Sequence, residues 1–492
     1  MKHKSVIWWV KRDFRLFDNA ALCRALSESK KVVPLYVFEP LVLQGPDWGV
    51  SHLQAVHDGV SSLRKNLEHY GQTLCVRQDI VITALEGLHR QIKFTAIYAH
   101  EETGLNHTFL RDIAVATWCK EKGIEFIEVQ TNGVTRGLTN RDQWQRLFQQ
   151  AIDESLLPVP KQYLKQSVCQ GVPKGRIPAL SKFAVTHNPN LRAVTERAAL
   201  TTLDEFLRVR GHAYSGGISS MNTAPTACSR LSVHLAWGTL SLATIMHKTT
   251  KRIQQLKGST DAADAKWRRS LQKFQSRLYW HSHFVQKLED QVDMETLPVN
   301  RAFTQGLPVV GGVEHEKRLQ AWLTGQTGFP AVDAAMRYYQ IHGWLTFRSR
   351  AMITSFACHA LRLPWQTIVY ELAKLMHDYV PGIHVSQVQM QAGVTGINTI
   401  RVYSPQKQLE DQDPNCHFVQ ANITELSPYS AADIINHHKE PLAGYIAPII
   451  NFKEETKIMK DALYSIKKSP VSKKAAAKVY KKHGSRKRTS RT

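Results

Sequence analysis

The sequence predicts an α/β amino-terminal domain, built as a doubly wound parallel sheet, followed by a mostly α-helical domain. Three observations point to this. Through roughly the first 130 residues, short apolar runs alternate with amphipathic stretches of helical length, the pattern of strands buried on both faces by crossover helices. From Thr202 onward strand signals become sparse and helical periodicity takes over. The chain has 492 residues and 43% hydrophobic content, too long for one ordinary core and apolar enough to exclude global disorder.

The elements follow in order. Ser5–Val10 (SVIWWV) is a short apolar strand, followed by a charged stretch, Lys11–Asn19 (KRDFRLFDN), and a helical segment from Ala20. Val32–Phe38, Thr73–Arg77, Ala96–Ala99 and Glu125–Val129 are further strands, separated by amphipathic stretches such as Leu53–Tyr70. No glycine fingerprint follows the first strand, so dinucleotide binding there is not indicated. Residues 1–132 form this domain, and 133–200, richer in Pro, Gln and Asn, form a connector carrying some helix. Residues 201–450 are the helical domain, with helices expected at Leu235–Lys248, Trp267–Gln291, Ala331–His342, Arg350–Leu361 and Trp365–His377. Residues 451–492 are a lysine-rich, low-complexity tail, expected to be disordered when free.

The net charge is +23, and from Lys453 to the end 14 Lys/Arg face 3 Asp/Glu, so +11 lies in the tail and +12 in the body. A body basic in its own right favours a polyanionic partner, nucleic acid first, over a merely solvated basic surface. The seven cysteines (Cys23, Cys75, Cys119, Cys169, Cys228, Cys358, Cys416) are odd in number, scattered and never in CxxC. That excludes a disulfide framework and a zinc or iron–sulfur site of ordinary spacing. His281 and His283 make an HxH pair with no third ligand at a useful spacing, so no metal is expected. With no signal peptide and no apolar run of membrane length, the expectation is a cytoplasmic monomer.

Three motifs carry a family resemblance. Lys11–Asn19 resembles an arginine- and aspartate-rich loop closing in RLxDN. Cys228-Ser-Arg-Leu-Ser232, followed by His234-Leu-Ala-Trp-Gly238 and Leu240-Ser241, resembles TSxLSxxLxxGxLS. Thr327–Arg337 (TGFPAVDAAMR), with Gly343-Trp344 and Arg348-Ser-Arg350, resembles TGxPxVDAxMRxLxxTGWxHNRxR. All three, in this order, are signatures of the DNA photolyase/cryptochrome family, and the resemblance spans about residues 5–430. It implies a Rossmann-like amino-terminal domain, a helical domain that binds FAD, and the possibility of a second, antenna chromophore that no motif here identifies.

The resemblance also assigns residues. Tyr214, Cys228, Ser229, Arg230, Leu231 and Ser232 would meet the flavin phosphates, with Cys228 where the family usually has threonine. Short hydroxyl residues opening a helix leave backbone N–H groups for an anion; the competing reading is a simple serine cap on the next helix. Phe274, Met376 and His377 would line the cofactor. Arg350 would pair with Asp378 beside the flavin ring, and Gly382 occupies the position facing flavin N5. Trp280, Arg348 and Arg401 match residues that hold damaged DNA.

The lesion pocket departs from the family. Arg277 stands where a glutamate is usual, Phe347 replaces the HNR asparagine, and Val388 replaces a second stacking tryptophan. Phe347 and Ala351 stand where the repair enzymes for 6-4 lesions have histidines. Among electron-transfer tryptophans, Trp365 matches the middle one and Ser386 replaces the proximal one; Trp344, Tyr338 and Tyr339 offer another route. The implied activity is blue-light-driven, FAD-dependent repair of pyrimidine dimers in single- or double-stranded ultraviolet-damaged DNA, a photo-lyase reaction. The alternatives are a cryptochrome-like photoreceptor without repair, and a colourless nucleic-acid-binding module.

Overall fold

The structure, a computed structural model, describes residues 1–167 and 171–484; Cys169 and the end of the basic tail lie outside them. Five parallel strands, β1 (His3–Trp9), β2 (Ser29–Phe38), β3 (Cys75–Gln78), β4 (Ala96–His100) and β5 (Glu125–Val129), form one sheet in the order β3-β2-β1-β4-β5. Its crossover helices are α1 (Ala20–Glu28), α2 (Val50–Glu68), α3 (Val81–Ile92) and α4 (Asn106–Lys122).

The apolar runs read as strands because both sheet faces are covered. Alternate side chains point to opposite faces. Val6, Trp8 and Val10 enter one core with Val32, Tyr36 and Tyr98, while Ile7 and Trp9 enter the other with Val33, Leu35 and Ile97. Val6 is aligned with Val32 on one side and Ala96 on the other, so β1 is the central strand.

The helical domain includes α5 (Ser232–Ala236), α6 (Leu242–Lys257), α7 (Ala262–Asp290), α8 (Pro330–His342), α9 (Phe347–Ser355), α10 (Trp365–Leu375) and α11 (Pro381–Gln391). Its core gathers Trp322, Val332, Met336, Tyr339, Phe356 and Val385. Two expected helices differ in form. Leu235–Lys248 is broken at Trp237-Gly238, and Ser241 caps the second piece by accepting from the Thr244 amide at 3.0 Å. Arg350–Leu361 begins at Phe347 and closes in a π-helical turn over Phe356–Ala360, a widening often found beside functional sites.

The break at Gly238 has a cause that explains the first motif. Gly238 has φ +60°, and a β-carbon there would lie 2.1 Å from the Arg12 carbonyl oxygen, so only glycine fits. Arg15 donates to the Gly238 carbonyl at 3.0 Å, and the Phe14 amide to the Trp237 carbonyl at 3.3 Å. The Asp18 carboxylate accepts from the Ser241 hydroxyl. Asp13 is held by His100 at 2.8 Å and Asn19 at 3.1 Å. The arginine- and aspartate-rich loop is therefore a clasp between the two domains.

The structure corrects the expected disorder for the described part of the tail, residues 452–483. Residues Phe452–Lys468 form helix α12 and Pro470–His483 form helix α13. Thr456, Met459 and Leu463 of α12, and Ser472, Val479 and His483 of α13, are buried. Glu455 is ion-paired to Arg318 at 2.9 Å and to Arg362 at 2.5 Å. Composition misled because docking needs only a few apolar positions at helical spacing, which the lysines outnumber.

Candidate flavin and nucleic-acid site

The phosphate-type loop is built between Cys228 and Ser232. Arg230 sits in the left-handed region at φ +60°, a conformation that turns the chain sharply into α5 at a steric cost for a non-glycine residue. Arg210 pins the loop from behind, donating to the carbonyls of Thr226 (3.1 Å), Cys228 and Ser229 (3.3 Å). The serine-cap reading does not hold for Ser232: it is the first helical residue of α5, and its hydroxyl bonds the Asp378 carboxylate. The Ser229 hydroxyl accepts from the Leu231 amide at 3.4 Å. Burial pushes the Cys228 thiol up to about 11, so it stays a neutral thiol.

Cations gather here beyond what the acids balance. Burial lowers the Arg192 pKa to about 10, helped by repulsion from Arg230 and Arg210. The Arg230 guanidinium lies 3.8 Å from the Trp344 ring centre, and its Nε has no partner. Residual positive charge and an unpaired buried donor fit a pyrophosphate. Tyr214 and Phe274 wall the region, with ring centres 5.4 Å apart, both packed on Phe206.

The Arg350–Asp378 pair is formed. One guanidinium nitrogen donates to both Asp378 oxygens, at 3.0 and 2.9 Å, while Nε donates to the Leu345 carbonyl at 3.0 Å. Burial, the largest influence, would raise the Asp378 pKa, but the Arg350 charge together with hydrogen bonds from Arg350 and Ser232 and the nearby His377 holds the carboxyl below its ordinary value. The two ring nitrogens of His281 are buried without partners, a second set of polar atoms open to a ligand.

Three residues expected against the flavin also join parts of the structure. The His377 ring meets the carbonyls of Ser51 (3.1 Å) and Arg192 (2.8 Å), tying the helical domain to α2 and the connector. The Met376 carbonyl meets His52 at 2.7 Å, leaving its side chain in the helical core. Gly382 is a close-packing residue: a β-carbon there would lie 2.6 Å from Val285 Cα. A side chain at 382 would therefore meet α7, and the glycine reflects that helix contact.

Of the residues expected to hold DNA, Trp280 is half-buried, stacked on Phe284 with ring centres 5.7 Å apart and edge-on to His283 at 4.9 Å. One face of its ring is thus occupied. Arg348 lines a cleft with Ser219, Met352, Gln408 and Phe418, and Trp280, Arg277 and Arg401 are not among its walls. Arg277 and Arg401 are exposed, and Phe347 is 59% exposed at the start of α9. Val388 and Ser386 are buried, and the Ser386 hydroxyl has no partner.

Trp365 is 4% exposed in the helical core and touches no other ring among the described residues. A ring ladder instead leaves the segment after Asp378: Tyr379 stacks on His52 at 5.4 Å, His52 meets Trp237 at 5.8 Å, and Trp237 meets Trp48 at 5.9 Å. Sequence reasoning missed this ladder, because its rings come together from segments far apart in the chain, and missed Arg210 and Arg192, which lie in segments without a motif. In the crevice at the carboxyl ends of β1 and β4, Lys11 is paired to Asp112 (2.8 Å) and Arg111 to Glu102 (2.7 Å).

Comparison with known proteins agrees with this architecture. Residues 6–151 match the family description "DNA photolyase", and residues 274–465 match "FAD binding domain of DNA photolyase". The chain belongs to the DNA photolyase/cryptochrome family. A deoxyribodipyrimidine photo-lyase of Synechococcus is 23% identical over 490 residues, covering 95% of this chain and 98% of the relative. A cryptochrome DASH of Gloeobacter violaceus is 24% identical, covering 87% of each chain. The crystal structure of a bacterial class III photolyase from Agrobacterium tumefaciens superposes with TM-score 0.81 at 22% identity, covering 95% and 99%. Among the described residues, no helix is long and apolar enough to cross a membrane.

Proposed function

We propose that the protein is a blue-light-dependent FAD flavoprotein that repairs pyrimidine dimers in DNA. The observation that carries this reading is the buried Arg350–Asp378 pair, linked through Ser232 to a cation-rich loop. Bound FAD supplies light absorption and one-electron chemistry that amino acids lack. Arg210 and the Cys228–Ser232 backbone hold the loop for the pyrophosphate, and Arg230 and Arg192 supply its counter-charge. Arg350, kept cationic by Asp378, fixes the field beside the ring site. Arg348, Arg401 and Arg277 take DNA phosphates, and the free face of Trp280 stacks on a base.

A second reading is favoured by one observation. Phe347, at the position of the pocket asparagine, is 59% exposed and offers no polar group to a lesion, as suits a photoreceptor that keeps FAD and lacks repair. The test takes protein that purifies yellow with oxidised flavin, reduces it, and illuminates it with ultraviolet-damaged oligonucleotides. Loss of dimers supports repair; dimers persisting in both single and double strands, with flavin bound, support the photoreceptor. A colourless protein overturns both.

A further inference from the structure

The sequence of α13, PVSKKAAAKVYKKH, contains five lysines and no acid. Its buried residues Ser472, Val479 and His483 are spaced by seven and four, which places them on one side of a helix. That side is fastened at both ends. Asn300 Nδ2 donates to the Ser472 carbonyl at 3.1 Å and hydroxyl at 3.2 Å, and the His483 ring meets Gln291 Oε1 at 2.8 Å. The Gly484 carbonyl accepts from Arg141 Nε at 3.5 Å.

The other side faces outward. Lys473, Lys474, Lys478 and Lys482 are exposed, and none makes an ion pair among the described residues. Tyr480, between them, is 59% exposed. Helix α12 differs, mixing its lysines with Glu454, Glu455 and Asp461. The lysine face also has a defined position. Arg141, which holds Gly484, contacts the His283 ring, and His283 lies edge-on to Trp280 at 4.9 Å. The carboxyl end of α13 is thus one side chain removed from the partner of Trp280. The sequence continues past it with Arg486, Lys487, Arg488 and Arg491.

We propose that the outer face of α13 is a fixed rail for the phosphate backbone of duplex DNA, its carboxyl end anchored through Arg141 and His283 to the helix that carries Trp280. The proposal rests on the reading that this protein binds DNA, and extends it to a surface the repair pocket does not include. Lys473 to Lys482 spans roughly 13 Å at the helical rise, room for several duplex phosphates. The lysines carry charge without a base-reading fork, so the contact is independent of sequence. A membrane surface fits less well, because a helix lying in lipid needs an apolar face and the face of α13 with Val479 is committed to protein.

The test replaces Lys473, Lys474, Lys478 and Lys482 with Gln in the full chain, with a matching Arg variant that keeps the charge. Anisotropy of a labelled, undamaged duplex is followed between about 50 and 200 mM NaCl. The Gln variant should flatten the slope of log K against log salt by about 2–4, at roughly 0.9 per lost phosphate contact. It should bind at least tenfold more weakly at the low-salt end, while the Arg variant matches wild type. Wild type binding duplex with a slope the Gln variant leaves unchanged overturns the rail and spares the DNA reading. Loss of binding to phosphatidylserine vesicles, with duplex binding intact, overturns it in favour of a membrane surface. Wild type without affinity for any DNA overturns both readings.

Discussion

Replacing Asp378 with Asn tests the electrostatic centre of the candidate site. In the native protein one Arg350 nitrogen holds both carboxylate oxygens at 2.9–3.0 Å, and the side chains are 5% (Asp) and 22% (Arg) exposed. The substitution keeps shape and leaves a buried guanidinium without its counter-charge. Breaking a buried pair from one side costs about 3–5 kcal/mol. Removing both charges, as Asp378→Leu with Arg350→Met, should recover most of that loss, because an apolar pair carries no desolvation cost. The folded Asp378 carboxyl lies below its ordinary value. Its contribution is therefore complete above the unfolded pKa of about 4 and lost only at lower pH. The gap between wild type and the Asn variant should thus stay constant from about pH 6 to 8. Urea denaturation followed by circular dichroism gives the free energies, and absorbance at the flavin band gives cofactor retained. An Asn variant within about 1 kcal/mol of wild type, with full flavin content, would refute the argument that this pair is desolvated and holds the site.

Other outcomes follow from the same structure. Gly382→Ala should lower stability by about 1–3 kcal/mol in thermal denaturation through the clash with Val285; an unchanged midpoint would show that the α7–α11 contact is loose. Burial holds His52, His234, His281, His283, His359, His384 and His483 at about 2 to 4. The unfolded chain then binds more protons, so stability is complete above about pH 6.5 and each histidine removes roughly 1 kcal/mol by pH 5.5; a flat unfolding free energy across that interval would contradict it. Arg210→Ala should weaken FAD retention about tenfold by releasing three loop carbonyls, measured by equilibrium dialysis. Trp237→Phe should slow blue-light reduction of bound flavin more than Trp365→Phe, since only Trp237 belongs to a ring ladder; the reverse order would restore Trp365 to the role its motif suggests.

The sequence by itself determined what depends on short range. Apolar runs marked the inner strands β1, β2 and β4, because a sheet covered on both faces needs no alternation. The resemblance of the motif around Arg350 implied its pairing with Asp378, and the structure forms that pair. What the tertiary structure decided depends on residues far apart in the chain. Lys11–Asn19 is a clasp only because Gly238, Trp237 and Ser241 come to it. Gly382 is a packing glycine only because Val285 lies against it. The tail folds only because Asn300, Gln291 and Glu455's arginine partners offer it a surface. Helix formation in a lysine-rich segment is marginal in isolation and is settled by docking, so composition could describe the charge of the tail and not its place.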